Sequence, residues 1–287
     1  MLHPAEGIYA FYDGRVEGYR FADGPNWVDD GALSVGVASY AIVSGREAVV
    51  YDTHVSVEHA RFIRTVLEDQ GVDTFTVVLS HWHLDHVAGT AAFQGCDVIA
   101  CERTASRLAQ FKSAIEDGTL EGPPRIDPLI LPTSTFGDRR RLAVGGTEVE
   151  LIQTNIHSDD ATVVWLPAQR LLLCGDTMED TITFVDEPES FGAHLMNLGK
   201  LRDLEPDRIL PNHGDPEVIA GGGYRRDLIR ATEEYIRALE RCRTEPGLRD
   251  AALRELIAEA LAEGSVRYFA PYEAVHRRNL ETVLAAG

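Results

Sequence analysis

Residues 81–86 read His81-Trp82-His83-Leu84-Asp85-His86. Three imidazoles and a carboxylate fall within one short stretch of chain. The stretch follows Phe75-Thr76-Val77-Val78-Leu79, an apolar run that reads as a buried strand. Side chains alternate faces along a strand, so His81 and His83 point the same way. Asp85 and His86 then fall where the chain turns toward its next element. Neutral imidazole and carboxylate are the usual protein ligands for zinc and related divalent ions. A lone histidine is more often a packing or surface residue, but this density at a strand end predicts a metal site.

Three loci downstream repeat the placement. His157 lies in Thr154-Asn155-Ile156-His157-Ser158-Asp159-Asp160, just past a strand at Val149 to Gln153. Asp176 lies in Leu171-Leu172-Leu173-Cys174-Gly175-Asp176-Thr177, and His213 in Ile209-Leu210-Pro211-Asn212-His213-Gly214-Asp215. Each is a potential ligand directly beyond an apolar segment, where sheet proteins build their sites. Taken singly each reads as structural. Together with residues 81–86 they predict one metal centre.

This pattern resembles the metallo-β-lactamase-fold superfamily, through His81-x-His83-x-Asp85-His86, His157, Gly175-Asp176-Thr177 and His213-Gly214 in that order, over roughly residues 5–220. The resemblance implies an α/β fold, an αββα sandwich of two facing mixed β-sheets with outer helices and metals at one edge. Residues 1–220 are expected to form this domain, and 221–287 a C-terminal helical extension packed on it. Carried over position by position, His81, His83 and His157 would hold one metal ion and Asp85, His86 and His213 a second, with Asp176 bridging both. Two Zn²⁺ per chain are expected, with iron or manganese as the other options. Asp176 is similar to the broader hydrolase branch, which includes glyoxalase II-like thioesterases and lactonases. The His157-Ser158-Asp159-Asp160 stretch is instead similar to the zinc β-lactamases.

The implied chemistry is hydrolytic. Two cations about 3.5–4 Å apart share a hydroxide, which attacks an ester, thioester, lactone or amide carbonyl. Asp85 is the catalytic candidate, orienting the hydroxide and passing a proton to the leaving group. No Ser or Cys nucleophile is needed, and no G-x-S-x-G elbow occurs. Asp52, Asp159 and Asp160 are candidate acceptors for the outer ring nitrogens of ligand histidines, although a solvated or capping role is expected for each. Two other readings fit the same residues: a mononuclear iron oxidoreductase similar to persulfide dioxygenases, and a non-catalytic, metal-stabilised binding protein. Trp82 is expected to pack rather than line a cleft. His54 and His194 read as structural or surface residues, and His276 with Arg277-Arg278 as a solvated helix face.

Composition narrows the partners. The chain has 287 residues, 44% of them apolar, and a net charge of −19. Nucleic-acid binding needs clustered Lys and Arg to neutralise phosphates, so a nucleic-acid partner and an anionic membrane surface are both disfavoured. There is no basic cluster suited to glutathione. No stretch approaches the ~20 apolar residues that span a bilayer. Met1-Leu2-His3-Pro4-Ala5-Glu6 shows no secretory pattern, and Cys96, Cys101, Cys174 and Cys242 lack CxxC spacing. The expectation is a cytoplasmic protein acting on a small-molecule substrate; a homo-oligomer is compatible with it.

Turn signals and periodicity place the elements. Residues 7–12, 40–43 and 48–51 read as antiparallel strands joined by tight turns at Asp13-Gly14 and Ser44-Gly45. Helical spacing covers 56–70, closed by Gly71, then 87–93 and 102–116. Residues 118–139, rich in Pro and Gly, form an irregular connection that could border the site. Strands follow at 141–144, 149–153, 162–166 and 171–174, a helix at 188–204, and a short strand at 209–210. Gly221-Gly222-Gly223 reads as a hinge-like linker before helices broken at Glu245-Pro246-Gly247 and Gly264.

Overall fold

The structure, a computed structural model, describes residues 1–286. Strands β1 (Leu2–Ala5), β2 (Ile8–Asp13), β3 (Val37–Ser44), β4 (Glu47–Tyr51), β5 (Thr74–Val78), β6 (Asp97–Cys101) and β7 (Ser134–Phe136) form a seven-stranded sheet in sequence order. β1 to β4 pair antiparallel, and β4 to β7 pair parallel. Strands β8 (Arg139–Val144), β9 (Thr147–Gln153), β10 (Thr162–Leu166), β11 (Leu171–Gly175) and β12 (Arg208–Pro211) form a five-stranded sheet, ordered β12-β11-β10-β9-β8. Only its β11–β12 pair is parallel. Helices are α1 (Leu33–Val35), α2 (Val57–Asp69), α3 (Leu84–Val87), α4 (Glu102–Asp117), α5 (Phe191–Asp203), α6 (Pro216–Ala220), α7 (Asp227–Cys242), α8 (Leu253–Leu256), α9 (Ala258–Glu263) and α10 (Tyr272–Ala285). The expected αββα sandwich is therefore present.

Alternation along the strands builds the layers. On the outer face of the larger sheet, Val50, Val77 and Ala100 pack with Ile63 and Leu67 of α2 and Leu108 of α4. Their strand neighbours Tyr51, Val78 and Ile99 face inward, in one cluster with Leu151, Val163 and Leu173 of the smaller sheet. The same cluster extends through Leu198 of α5 and Ile236 of α7 to Val283 of α10. Local signals explain the element ends. Ser56 caps α2 by accepting from the His59 N–H, and Gly145-Gly146, both at positive φ, turn β8 into β9. Among the described residues no helix is long and apolar enough to cross a membrane.

Several expectations need correction. β2 and β3 are neighbours, but they are not joined by a tight turn at Asp13-Gly14; residues 14–36 make a long excursion that includes a π-helical turn at Val28–Ala32 and α1. The expected 87–93 helix starts earlier, at Leu84, and breaks before a 3₁₀ turn at Thr90–Phe93. Strands β1 and β7 and helix α6 were not expected. The three glycines at 221–223 are no free hinge: Tyr224, directly after them, exchanges two 2.8 Å backbone hydrogen bonds with Ile209 of β12.

The break after α3 has a packing cause. A Cβ on Gly89 would lie 2.0 Å from the Thr53 carbonyl oxygen and 2.3 Å from the Ala60 Cβ. Only glycine lets α3 approach α2 and the segment after β4 this closely. Gly89→Ala is expected to destabilise the fold by about 1–3 kcal/mol, the range for overpacking. Urea unfolding of the metal-free protein measures this, and an unchanged midpoint contradicts it.

Candidate metal centre

β5 delivers the histidine cluster. Its extension is pinned where the Leu79 N–H donates to Ile99 O at 2.9 Å and the Ser80 N–H donates to Asp52 Oδ1 at 2.6 Å. His81 and His83 follow in extended chain, and the turn of α3 then swings Asp85 and His86 to the same side. His157 arrives from the loop after β9, Asp176 directly after β11, and His213 directly after β12. Backbone strain collects here: Asp52, His54 and His157 have φ of 65°, 65° and 71°, which non-glycine residues rarely adopt.

The structure brings all seven expected residues together in two groups. Donor atoms of His81, His83, His157 and Asp176 lie within 4.8 Å of one another, as do those of Asp85, His86 and His213. Asp176 Oδ2 reaches across both: it is 3.1 Å from His86 Nε2, 3.3 Å from His213 Nε2, 3.6 Å from His81 Nε2 and 3.9 Å from His157 Nε2. Asp85 closes the second group, with Oδ1 3.4 Å from His86 Nε2 and Oδ2 3.2 Å from His213 Nε2.

Each buried imidazole is oriented through its outer nitrogen. His157 Nδ1 lies 3.0 Å from Phe184 O and His213 Nδ1 2.6 Å from Gly36 O. A carbonyl only accepts, so both rings carry a proton on Nδ1 and turn Nε2 inward. His86 Nδ1 is 2.9 Å from Asp52 Oδ2, and His81 Nδ1 is 2.9 Å from Ser80 Oγ. Asp52 is fully buried and also accepts from Asn212 Nδ2 at 2.5 Å. The capping or solvated role expected of Asp52 is thus wrong; it orients His86. Asp160 is neither solvated nor a helix cap: buried, it accepts from the Trp82 N–H at 3.1 Å, Ser158 Oγ at 2.7 Å and Thr104 Oγ1 at 3.0 Å, and Asp159 pairs with Arg103 and Arg107.

A divalent cation fits this donor set. His81 Nε2 and Asp176 Oδ1 are buried with no hydrogen-bond partner, and such atoms are costly unless something satisfies them. The charge balance points the same way. Burial depresses His81 and His83, and takes His157 down to about 4. Burial would lower His86 and His213 too, but the Asp176 and Asp85 carboxylates overcome it and raise both well above the ordinary value. Asp176 itself, despite burial, is drawn well below the carboxylate range by His213 and His86.

Other candidates landed differently. Trp82 stacks on Phe111, ring centroids 5.1 Å apart, yet also lines the cavity, so packing and lining coexist. His194 is buried with both nitrogens unpartnered, and His276 is buried with Nδ1 2.9 Å from Tyr235 OH; neither is a surface residue. His54 is buried and stacks on His59 at 4.4 Å. Both arginines of the basic pair are exposed, and Arg278 also lines the cavity with its guanidinium carbon 5.0 Å above the Phe184 ring. Glu121, from the irregular 118–139 connection, lines it as well. The cavity holds about 660 Å³ above the cluster, walled by Trp27, Trp82, Leu84, Phe184 and Val275. Sequence reasoning missed Asn212, Glu179 and the carbonyls of Gly36 and Phe184. Asn212 is signalled only by its place beside His213, and a backbone carbonyl has no side chain to signal it.

The model of the metallo-beta-lactamase superfamily matches residues 34–213. The chain belongs to that superfamily. It is 28% identical over 212 residues to a beta-lactamase-like protein 2 homolog of Caenorhabditis elegans, covering 71% of this chain and 66% of that protein. It is 23% identical over 228 residues to an atrochrysone carboxyl ACP thioesterase of Pseudocercospora fijiensis, covering 78% of this chain and 62% of that protein. The chain thus spans slightly under two thirds of either relative. Among solved structures, a metallo-beta-lactamase family protein from Thermus thermophilus superposes with a TM-score of 0.60 at 20% identity, over 96% of this chain and 94% of that one.

The raised and lowered histidines set an order of metal loss. A ligand imidazole must be neutral, so protons compete with metal. Competition at His86 and His213 begins as pH falls through their raised values, whereas His81, His83 and His157 stay neutral to much lower pH. Taking protein loaded with a divalent metal from about pH 8 to about pH 5, either side of the ordinary histidine value, is expected to empty the Asp85–His86–His213 group before the His81–His83–His157 group. Metal content after dialysis at each pH reports it; loss in a single step contradicts it.

Proposed function

We propose that this chain is a dinuclear, zinc-dependent hydrolase of an ester, thioester, lactone or amide. The observation that carries the reading is Asp176, whose one oxygen lies within 3.9 Å of four imidazole nitrogens drawn from both ligand groups. His81, His83 and His157 would hold one ion, Asp85, His86 and His213 the other, and Asp176 both. Cations so held supply Lewis-acid polarisation of a carbonyl oxygen and a nucleophile from water near neutral pH.

The chain's own side chains supply the rest. Asp85 lines the cavity while its oxygens face His86 and His213, so it can take a proton at Oδ and return it to the leaving group. His86 and His213 hold it ionised, pulling its carboxyl below the usual range against burial. The aromatic and aliphatic walls suit an apolar acyl body, while Asp30, Ser34, Glu121, Asp186 and Arg278 add polar groups to the lining outside the cluster. The similarity to a thioesterase supports testing thioesters first.

The test couples metal analysis to a panel of thioesters, esters, lactones and β-lactams. Wild type is expected to take up two equivalents of zinc and to hydrolyse at least one class. Asp176→Ala and His83→Ala are expected to lower kcat/KM by more than about 100-fold, beyond the range for residues that merely orient ligands, with the fold retained by circular dichroism. Less than one equivalent of zinc and no turnover across the panel would sink the reading.

A further inference from the structure

Residues 176–187 contain no strand or helix, yet 176–183 and Val185 are buried. A buried irregular segment must find partners for its backbone groups outside regular structure. Here the C-terminal helices provide them. Asn279 of α10, fully buried, accepts from the Val185 N–H at 2.9 Å and donates through Nδ2 to Thr183 O at 3.0 Å and to Tyr235 OH at 3.0 Å. Its carboxamide thus brackets Phe184 on both sides. The Phe184 N–H donates to Glu179 Oε1 at 2.8 Å, and Glu179 Oε2 accepts from Tyr272 OH at 3.0 Å. Thr183 Oγ1 donates to Asp176 O at 2.8 Å. What remains of Phe184 is its carbonyl, and that is the acceptor holding His157 Nδ1 at 3.0 Å.

We propose that Asn279 and the Tyr272–Glu179 pair are positioning residues of the metal centre: by fixing the Phe184 carbonyl they hold His157 in the Nδ1-protonated tautomer, with Nε2 turned toward His83 and Asp176. Asn279 and Tyr272 lie on α10, well beyond residue 213, where the superfamily match ends. They belong to this chain's C-terminal helices, which therefore complete the site as well as cover the core. The consequence for metal affinity rests on the reading of the cluster as a metal centre; the consequence for the imidazole does not. Val283, buried on the same helix among core residues, offers the contrast, since it packs without touching the loop's polar network.

The experiment reads two quantities in full-length protein: the His157 tautomer, by ¹⁵N NMR of the metal-free form, and zinc affinity, by chelator competition. Wild type is expected to show one dominant Nδ1-protonated tautomer. Asn279→Leu is expected to give mixed tautomers and to weaken one zinc equivalent by about 10–100-fold, the usual effect of losing a partner behind a ligand. Val283→Ala is expected to lower stability while leaving tautomer and affinity at wild-type values. A folded Asn279→Leu with wild-type tautomer and affinity overturns the inference, as does a Val283→Ala that reproduces its effects. Should Asn279→Leu fail to fold, Tyr272→Phe removes one hydroxyl only; mixed tautomers there support the inference and an unchanged ring overturns it. Wild type that takes up no zinc, with the tautomer still shifting in the variants, defeats the proposed hydrolase and leaves the positioning role standing.

Discussion

Asp176 and the four imidazoles around it are the constraint to which the rest of the structure answers. Burying charged groups without compensation is costly, and no pairing among them satisfies all the atoms, since His81 Nε2 and Asp176 Oδ1 stay unpartnered. The protein tolerates this because each ring is held from behind. Ser80, Asp52, Phe184 O and Gly36 O occupy the outer nitrogens of His81, His86, His157 and His213. Four ring nitrogens are thereby turned inward before any cation arrives, so an ion meets a site whose ordering entropy was spent during folding.

That convergence explains why both sheets are mixed. β4 and β5 run parallel, which sets Asp52 and His81 side by side at one end of the larger sheet. β11 and β12 run parallel, which does the same for Asp176 and His213. β9 is antiparallel to β10, and β10 to β11, so β9 shares the direction of β11 and His157 emerges at the same edge. An all-antiparallel pair of sheets would send alternate ligands to opposite ends. Tyr51 and Tyr40 fasten the sheets across this edge, donating to Thr162 O at 2.6 Å and Pro211 O at 2.5 Å.

All seven converging side chains were legible in the sequence: each downstream residue alone reads as structural, but four loci placed directly after apolar runs, in an order that resembles one superfamily, point to a single site. The strands at 162–166 and 171–174 were legible because, buried on both faces, they read as continuous apolar segments. Three kinds of feature were not. Short elements such as β7 carry too few residues to establish a period. Buried polar residues such as His194, His276 and Asp52 were assigned by residue type to the surface, where most of their kind belong, and tertiary partners overrode that tendency. The carbonyls of Gly36 and Phe184 were invisible in principle, since any residue supplies the same group.

The excursion at 14–36 and the loop at 176–187 each supply one backbone carbonyl to a ligand histidine, Gly36 O to His213 and Phe184 O to His157, the loop adding the Asp176 side chain, and each gains its rigidity elsewhere. The first is pinned by Arg15, which donates to Val35 O at 2.7 Å and to Asp180 O at 2.7 Å, tying one irregular segment to the other. Asp180 is tied in turn to Tyr224 OH at 2.5 Å and to the Arg267 N–H at 2.7 Å, joining the start and the later part of the C-terminal helices. Segments without regular structure are ordinarily the mobile parts of a fold. In the loop, backbone groups are satisfied by buried Asn279 and Glu179, and in the excursion by its own Asn26, Asp29 and Asp30, so both are ordered without regular structure. The same segments wall the cavity, with Trp27 and Ser34 from the first and Phe184 from the second, so the shape of the cavity and the orientation of the histidines rest on the same tertiary ties.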